Sequence, residues 1–235
     1  QRTRGGGKAV KNRSASRGAR FYEVPGRRLE DSVTAKDVQN RRKLGVPDLE
    51  TAEDIVAERL LSMNLKLQTT RMYLKMQALQ GKIVDPDGST LYDSFTELAL
   101  TQTSIDMVLG TSTTNLVSKI LQLSDTIDEN LTGTPSTGKR AYCSPAFFRK
   151  FITHAKIEDA YKYYSSMQNP NRDDVRAGFI HEGIEWINVP HKANVVDAYG
   201  GVTTKLYVPD GEAIVVPTGT DLGREFLAPA DHLEF

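Results

Sequence analysis

Residues 48–81, DLETAEDIVAERLLSMNLKLQTTRMYLKMQALQG, constrain the fold more than any other stretch. Asp48 or Thr51 can cap a helix start, and Glu50, Glu53 and Asp54 place negative charge at its positive end. Ala52, Val56, Leu60, Met63, Leu67, Thr70, Leu74 and Ala78 recur at three- and four-residue steps, which puts them on one helical face. Gly81 is a natural stop. The run predicts a helix of about 30 residues, roughly 45 Å long, where the mean globular helix has about 12 residues. Such an element acts as a beam. A coiled coil is the alternative, but the stripe spans barely four heptads and flanking charges are sparse.

The rest of the body alternates between short strands and helices. KIVDPDGSTLYDS, 82–94, reads as a hairpin: Ile83 and Val84, a Pro-Asp-Gly turn, then Leu91 and Tyr92. Residues 112–131 predict a second amphipathic helix with Leu116, Ile120, Leu123, Ile127 and Leu131 on one face. TGTPSTG, 132–138, is a loop by composition. RAYCS, 140–144, is a short buried strand, and Ser144-Pro145 opens a helix carrying Phe147, Phe148, Phe151 and Ile152. IEDAYKYYSSMQNPNRDD reads as helix, then loop. GFIHEGIEWINVP reads as strands with Gly183 in a turn, and KLYVPDGEAIVVPTG as strand, turn, strand. No fixed-period repeat is present.

Charge divides the chain. The 235 residues balance to zero, yet residues 1–43 hold 13 Lys and Arg against 4 Asp and Glu, and the remainder is acidic by the same nine charges. Residues 2–20, RTRGGGKAVKNRSASRGAR, contain no acid and no large apolar residue except Val10, so they cannot bury a core alone. Phe21, Tyr22 and Val24 can pair as a strand before a Pro25-Gly26 turn. Residues 1–43 therefore read as one extended basic excursion attached to an acidic body. Complementary patches of this kind steer association between molecules; a nucleic-acid binder is more usually basic overall. The remaining composition, 39% apolar and 26% charged, is that of an ordinary globular chain. No apolar run reaches the roughly 18 to 20 residues that span a bilayer, and a lone cysteine fits synthesis in a reducing compartment. The chain starts at Gln1 inside a glycine-rich basic run and ends abruptly at HLEF, so both ends read as cut.

Catalytic patterns are missing. Gly7-Lys8 invites a phosphate-loop reading, but Ala9 replaces the required hydroxyl and no glycine stands five residues before Gly7. His154, His181, His191 and His232 show no ligand spacing, and Cys143 alone completes no zinc pattern. Cys143 lies in an apolar strand, where a thiol stays protonated, and no nucleophile-elbow motif is present. The acid pairs Asp85/Asp87 and Asp173/Asp174 sit in turn-like sequence. Tyr161, Tyr163 and Tyr164 beside Lys156 and Lys162 can stack on bases, but Glu158 and Asp159 oppose phosphate. No catalytic residue, metal ligand or cofactor is expected.

The order of pieces resembles the major capsid proteins of tailed phages, in particular the lambda-type E family. MYLKMQALQGKIVDPDGSTLYD resembles the end of that family's spine helix with its A-L-x-G-K segment and hairpin. KRAYCSPAFFRKFITHAKIEDAY is similar to its strand, turn and F/W-x-x-F helix. KLYVPDGEAIVVPTG resembles its strand ending in a P-D/N turn before an apolar strand. FLAPADHLEF looks like the approach to its C-terminal return. The likeness covers most of residues 5–235, and its signal lies in the order of individually weak motifs. The family's N-terminal arm and most of its C-terminal return have no counterpart.

The resemblance implies an α+β, Hong Kong 97-like capsid fold. Residues 1–43 would be the extended loop, 44–110 a peripheral domain with spine helix and hairpin, 111–225 a mixed α/β axial domain, and 226–235 the start of the return. It implies a structural subunit, made in the host bacterial cytoplasm and built into the virion capsid as hexamers and pentamers that enclose DNA. A scaffold or decoration protein would be a further partner; no membrane is involved. Arg4, Lys8, Lys11, Arg13, Arg17, Arg20, Arg27 and Arg28 would contact a neighbouring subunit through charge-assisted hydrogen bonds. Some phage shells link this loop covalently through lysine and asparagine, but no motif at Lys8, Lys11 or Asn12 argues for it. Two other functions remain open on sequence: a nucleic-acid-binding protein using the arginine-rich arm, and a hydrolase using Cys143 or a histidine.

Overall fold

The computed structural model describes residues 29–39, 51–85, 88–131, 134–159, 179–196, 200–221 and 223–226. All but Leu29, Glu30, Glu225 and Phe226 belong to one unit, Asp31–Arg224. The extended readings of 1–28, the aromatic group at 161–164, and Asp173, Asp174 and His232 lie outside the described residues.

After a single helical turn, α1 (Ala35–Val38), comes the long helix α2, Ala52–Leu79, 28 residues. Of the two candidate caps, Thr51 holds the start. Its hydroxyl accepts from Asp54 N, and the Asp54 carboxylate reaches back to Thr51 N at 3.0 Å, forming a capping box. Gly81 ends it with φ +82°, a left-handed conformation; a Cβ there would sit 2.5 Å from the Phe95 ring, so the position excludes side chains twice over. The hairpin follows as β1 (Lys82–Val84) and β2 (Thr90–Asp93), antiparallel, with Ile83 opposite Tyr92. Asp93 then caps the short α3 (Ser94–Leu98) by accepting from Phe95 N and Thr96 N.

The second amphipathic helix, α4, runs Leu116–Asn130. It begins four residues later than its periodicity allows because Asn115 caps it, accepting from Ser118 N at 3.2 Å. Leu116 and Ile120 are buried as expected. β3 (Gly138–Cys143) leads directly into α5 (Pro145–Ile152), with Ser144 as cap and Pro145 in the first turn. β4 (Phe179–His181) and β5 (Ile184–Asn188) form a hairpin through Gly183, φ +73°. β6 (Lys192–Val196), which no sequence signal singled out, pairs with β7 (Val202–Leu206) as a separate two-stranded ribbon. β8 (Ala213–Thr218) closes the main sheet.

That sheet has the order β4-β5-β3-β8, with β3 parallel to β5 and antiparallel to β8. Alternation along the strands gives it two covered faces. Ala141, Cys143, Ile184 and Trp186 face α4 and α5, forming the larger core with Leu116, Ile120, Phe147 and Phe151. Tyr142 and Ile214 face the other way, against Met76, Ala193, Tyr207 and Val208. The C-terminal turns of α2 and the β6–β7 ribbon thus lie across one face and the two shorter helices across the other. Each fully buried large apolar side chain contributes about 1.5–3 kcal/mol.

The long helix departs from its sequence reading in one respect. The stripe read from periodicity is largely exposed: Val56 is 42% exposed, Leu60 58% and Leu67 41%. Ile55, Met76 and Gln77 are buried instead. Apolar residues occur on more than one side of this helix, so periodicity alone cannot select the packed face; the sheet and ribbon select it.

Candidate assembly surfaces

The Arg59 side chain holds residues 31–37 to the long helix. The Arg59 guanidinium donates to Asp31 Oδ1 at 3.0 Å, to the Ser32 carbonyl, and to Asp37 Oδ2 at 3.0 Å. Asp37 is set for this by its own capping box, accepting from Thr34 N at 3.0 Å and Thr34 Oγ1 at 2.9 Å. The Thr34 backbone amide, then its hydroxyl, and then Arg59 hold the Asp37 carboxyl below its ordinary value. Arg59 therefore ties residues 31–37 to the first turns of the long helix. Sequence reasoning missed it, because its partners lie 22 and 28 residues away and no local pattern joins them.

The other end of the helix is tied to the ribbon through Tyr207. Gln80 Nε2 donates to the Tyr207 carbonyl at 3.0 Å and to Met76 O at 3.1 Å. The Tyr73 and Tyr207 rings are tilted at a centroid separation of 5.9 Å, and His191 stacks on Tyr207 at 5.8 Å. Between these anchors the helix presents Leu60, Leu61, Leu65 and Met72 to solvent, each at least half exposed. The ribbon adds Val196 and Val202, 53% and 65% exposed. A monomer seldom exposes so much aligned apolar surface.

Among the described residues the candidate histidines, cysteine and acids form no group of three that could hold a metal. Burial pushes the Cys143 thiol up to about 12, against a smaller lowering by a hydrogen bond with the Ile187 backbone. His154 is buried with Nε2 3.0 Å from the Thr111 carbonyl. His181 is pressed between Phe179 and Phe151, and desolvation lowers its pKa against a smaller opposing effect of Glu182. Among the described residues no helix is long and apolar enough to cross a membrane. An open trough of about 670 Å³ lies along α4, lined by Val117, Leu121, Asp125 and Glu129 among others. Arg4, Lys8, Lys11, Arg13, Arg17, Arg20, Arg27 and Arg28 all lie outside the described residues.

What the geometry offers is surface for other protein chains, and the comparisons agree with this. The family model described as phage major capsid protein E matches residues 1–235. The major capsid protein of Pseudomonas phage KPP10 is 33% identical over 236 residues, covering 94% of this chain and 67% of that protein. The major capsid protein of Salmonella phage Felix O1 is 32% identical over 135 residues, covering 56% of this chain and 37% of that protein. A mixed α/β body with a long, largely exposed helix and a family match along its whole length places this chain in the phage major capsid protein E family.

Proposed function

We propose that this chain is a structural subunit of a phage capsid that assembles into hexamers and pentamers enclosing DNA, in a Hong Kong 97-like fold. In this reading 1–43 is the extended loop, 44–110 the peripheral domain, 111–225 the axial domain and 226–235 the start of the return. The observation that carries it is the long helix, joined to residues 31–39 by Arg59 near its start and to the ribbon by Gln80 and Tyr207 at its end, with its middle exposed and apolar. An element fixed in this way presents a rigid edge to a neighbour. Arg4, Lys8, Lys11, Arg13, Arg17, Arg20, Arg27 and Arg28 meet carboxylates on the adjacent subunit. Exposed pairs contribute only about 0–1 kcal/mol each, so strength comes from repetition around a closed shell. The acidic remainder of the chain binds enclosed DNA weakly, which suits packaging and release. Scaffold or decoration proteins are further candidate partners.

The test is the mass of the full-length protein by light scattering, with electron microscopy of the particles. Rings or shells that fail when the loop arginines become serine support the reading. A strict monomer at every concentration, salt and pH, with or without a scaffold, overturns it. Steeply salt-dependent DNA binding by that monomer would transfer the arm to nucleic acid.

A further inference from the structure

On α2, Glu58, Leu61, Leu65, Gln68, Met72 and Lys75 recur at alternating steps of three and four residues. This average of 3.5 lays them along one seam of the helix. Leu61, Leu65 and Met72 are 62%, 56% and 50% exposed, and Glu58, Gln68 and Lys75 are exposed with them. The seam lies about a third of a turn round the helix from Ile55 and Gln77, which are buried, and Tyr73, which packs against the smaller core.

The seam is complementary to itself when reversed. Set antiparallel with a two-fold axis between Lys66 and Leu67, two copies bring Glu58 against the second copy's Lys75, Leu61 against its Met72, and Leu65 against its Gln68. Each contact then occurs twice, as an isologous interface requires. A parallel pair would instead set Glu58 on Glu58 and Lys75 on Lys75. Acid at one end and base at the other therefore select the antiparallel direction, while the aligned apolar side chains supply the burial. The geometry points to α2 as a two-fold docking helix whose partner is α2 of a second copy of this chain. Such a contact joins copies in pairs. It is additional to the ring contacts of a hexamer or pentamer, which are head-to-tail, and its failure would leave those untouched.

The test uses the full-length protein, in which Cys143 is fully buried, with the unsubstituted protein as the control for background linking. Chains carrying Leu61→Cys and chains carrying Met72→Cys are mixed and treated with a short bis-maleimide. Cross-linking between the two kinds of chain, with little within either kind, supports the antiparallel seam. Linking of Leu61→Cys chains to one another, or no linking while the protein still assembles, overturns it. As a second measurement, Glu58→Lys and Lys75→Glu should each weaken pairing about threefold to tenfold, and the double variant should restore it. Helix content by circular dichroism checks that the exposed substitutions leave the fold intact. A double variant no better than either single one rejects the charge register.

Discussion

The Trp186 indole lies on the Phe151 ring with centroids 4.3 Å apart and planes 28° from parallel. Both side chains are fully buried, one from β5 and one from α5, so this contact fastens the helix to the sheet. Phe147 extends the stack at 6.3 Å from Trp186. Phe151→Ala removes a ring from a close-packed site and should cost about 3–5 kcal/mol. Urea unfolding followed by the fluorescence of the lone tryptophan measures this, and a cost below about 1 kcal/mol would show that the core collapses around the gap.

Ser144 performs two tasks with one hydroxyl. It accepts from Phe147 N at 3.4 Å as the cap of α5 and from Gly211 N at 3.0 Å in the turn before β8. Its own amide donates to Glu212 O at 3.0 Å. Ser144→Ala should destabilise by about 1–3 kcal/mol, because it leaves donors near the core unpaired. Ser144→Thr, which keeps the hydroxyl, should recover part of that loss if the extra methyl is accommodated.

Arg59→Ala should release residues 31–39 with little change in global stability, since ion pairs this open contribute about 0–1 kcal/mol each. Amide exchange at residues 34–39 should accelerate while exchange in β3 and β5 stays constant. If both accelerate together, Arg59 supports the whole body and not the root of the loop.

His181 predicts a pH dependence. Its folded pKa lies below the ordinary 6.5 because burial disfavours the charged ring, with Glu182 opposing less strongly. Its Nε2 is buried with no hydrogen-bond partner among the described residues. The unfolded chain therefore binds the proton more readily, and stability rises with pH in this window. The full contribution is present above pH 6.5; it falls as pH drops below that value and levels off once the folded pKa is passed. Unfolding at pH 7.5 and pH 5, compared between the native chain and His181→Gln, isolates this part. An unchanged pH difference in the variant would assign the acid sensitivity elsewhere.

The thiol of Cys143, with its pKa near 12, should resist Ellman's reagent at pH 8 in the folded protein and react fully in denaturant. Rapid labelling of the folded protein would show that β3 opens locally.

Much of the secondary structure is legible in the residues alone. The Thr51 cap and Gly81 stop, the β1–β2 pairing, the apolar face of α4, the Ser144-Pro145 start and the Gly183 turn all rest on interactions between residues near in the chain. Such interactions leave a mark in periodicity and turn chemistry. β6 left none, because KANVV is short and gains its strand from pairing with β7.

The sequence by itself therefore determined which segments are helices, strands and turns, to within a turn at their ends, and which family the order of motifs resembles. Only the tertiary structure decided which face of α2 is buried, since apolar side chains lie on several of its sides and contact with the ribbon and sheet makes the choice. It also decided that β7 and β8, joined by one short turn, enter different sheets, and that Arg59 clasps Asp31 and Asp37. Those outcomes depend on groups far apart in the chain, whose energies are settled only when the whole body packs.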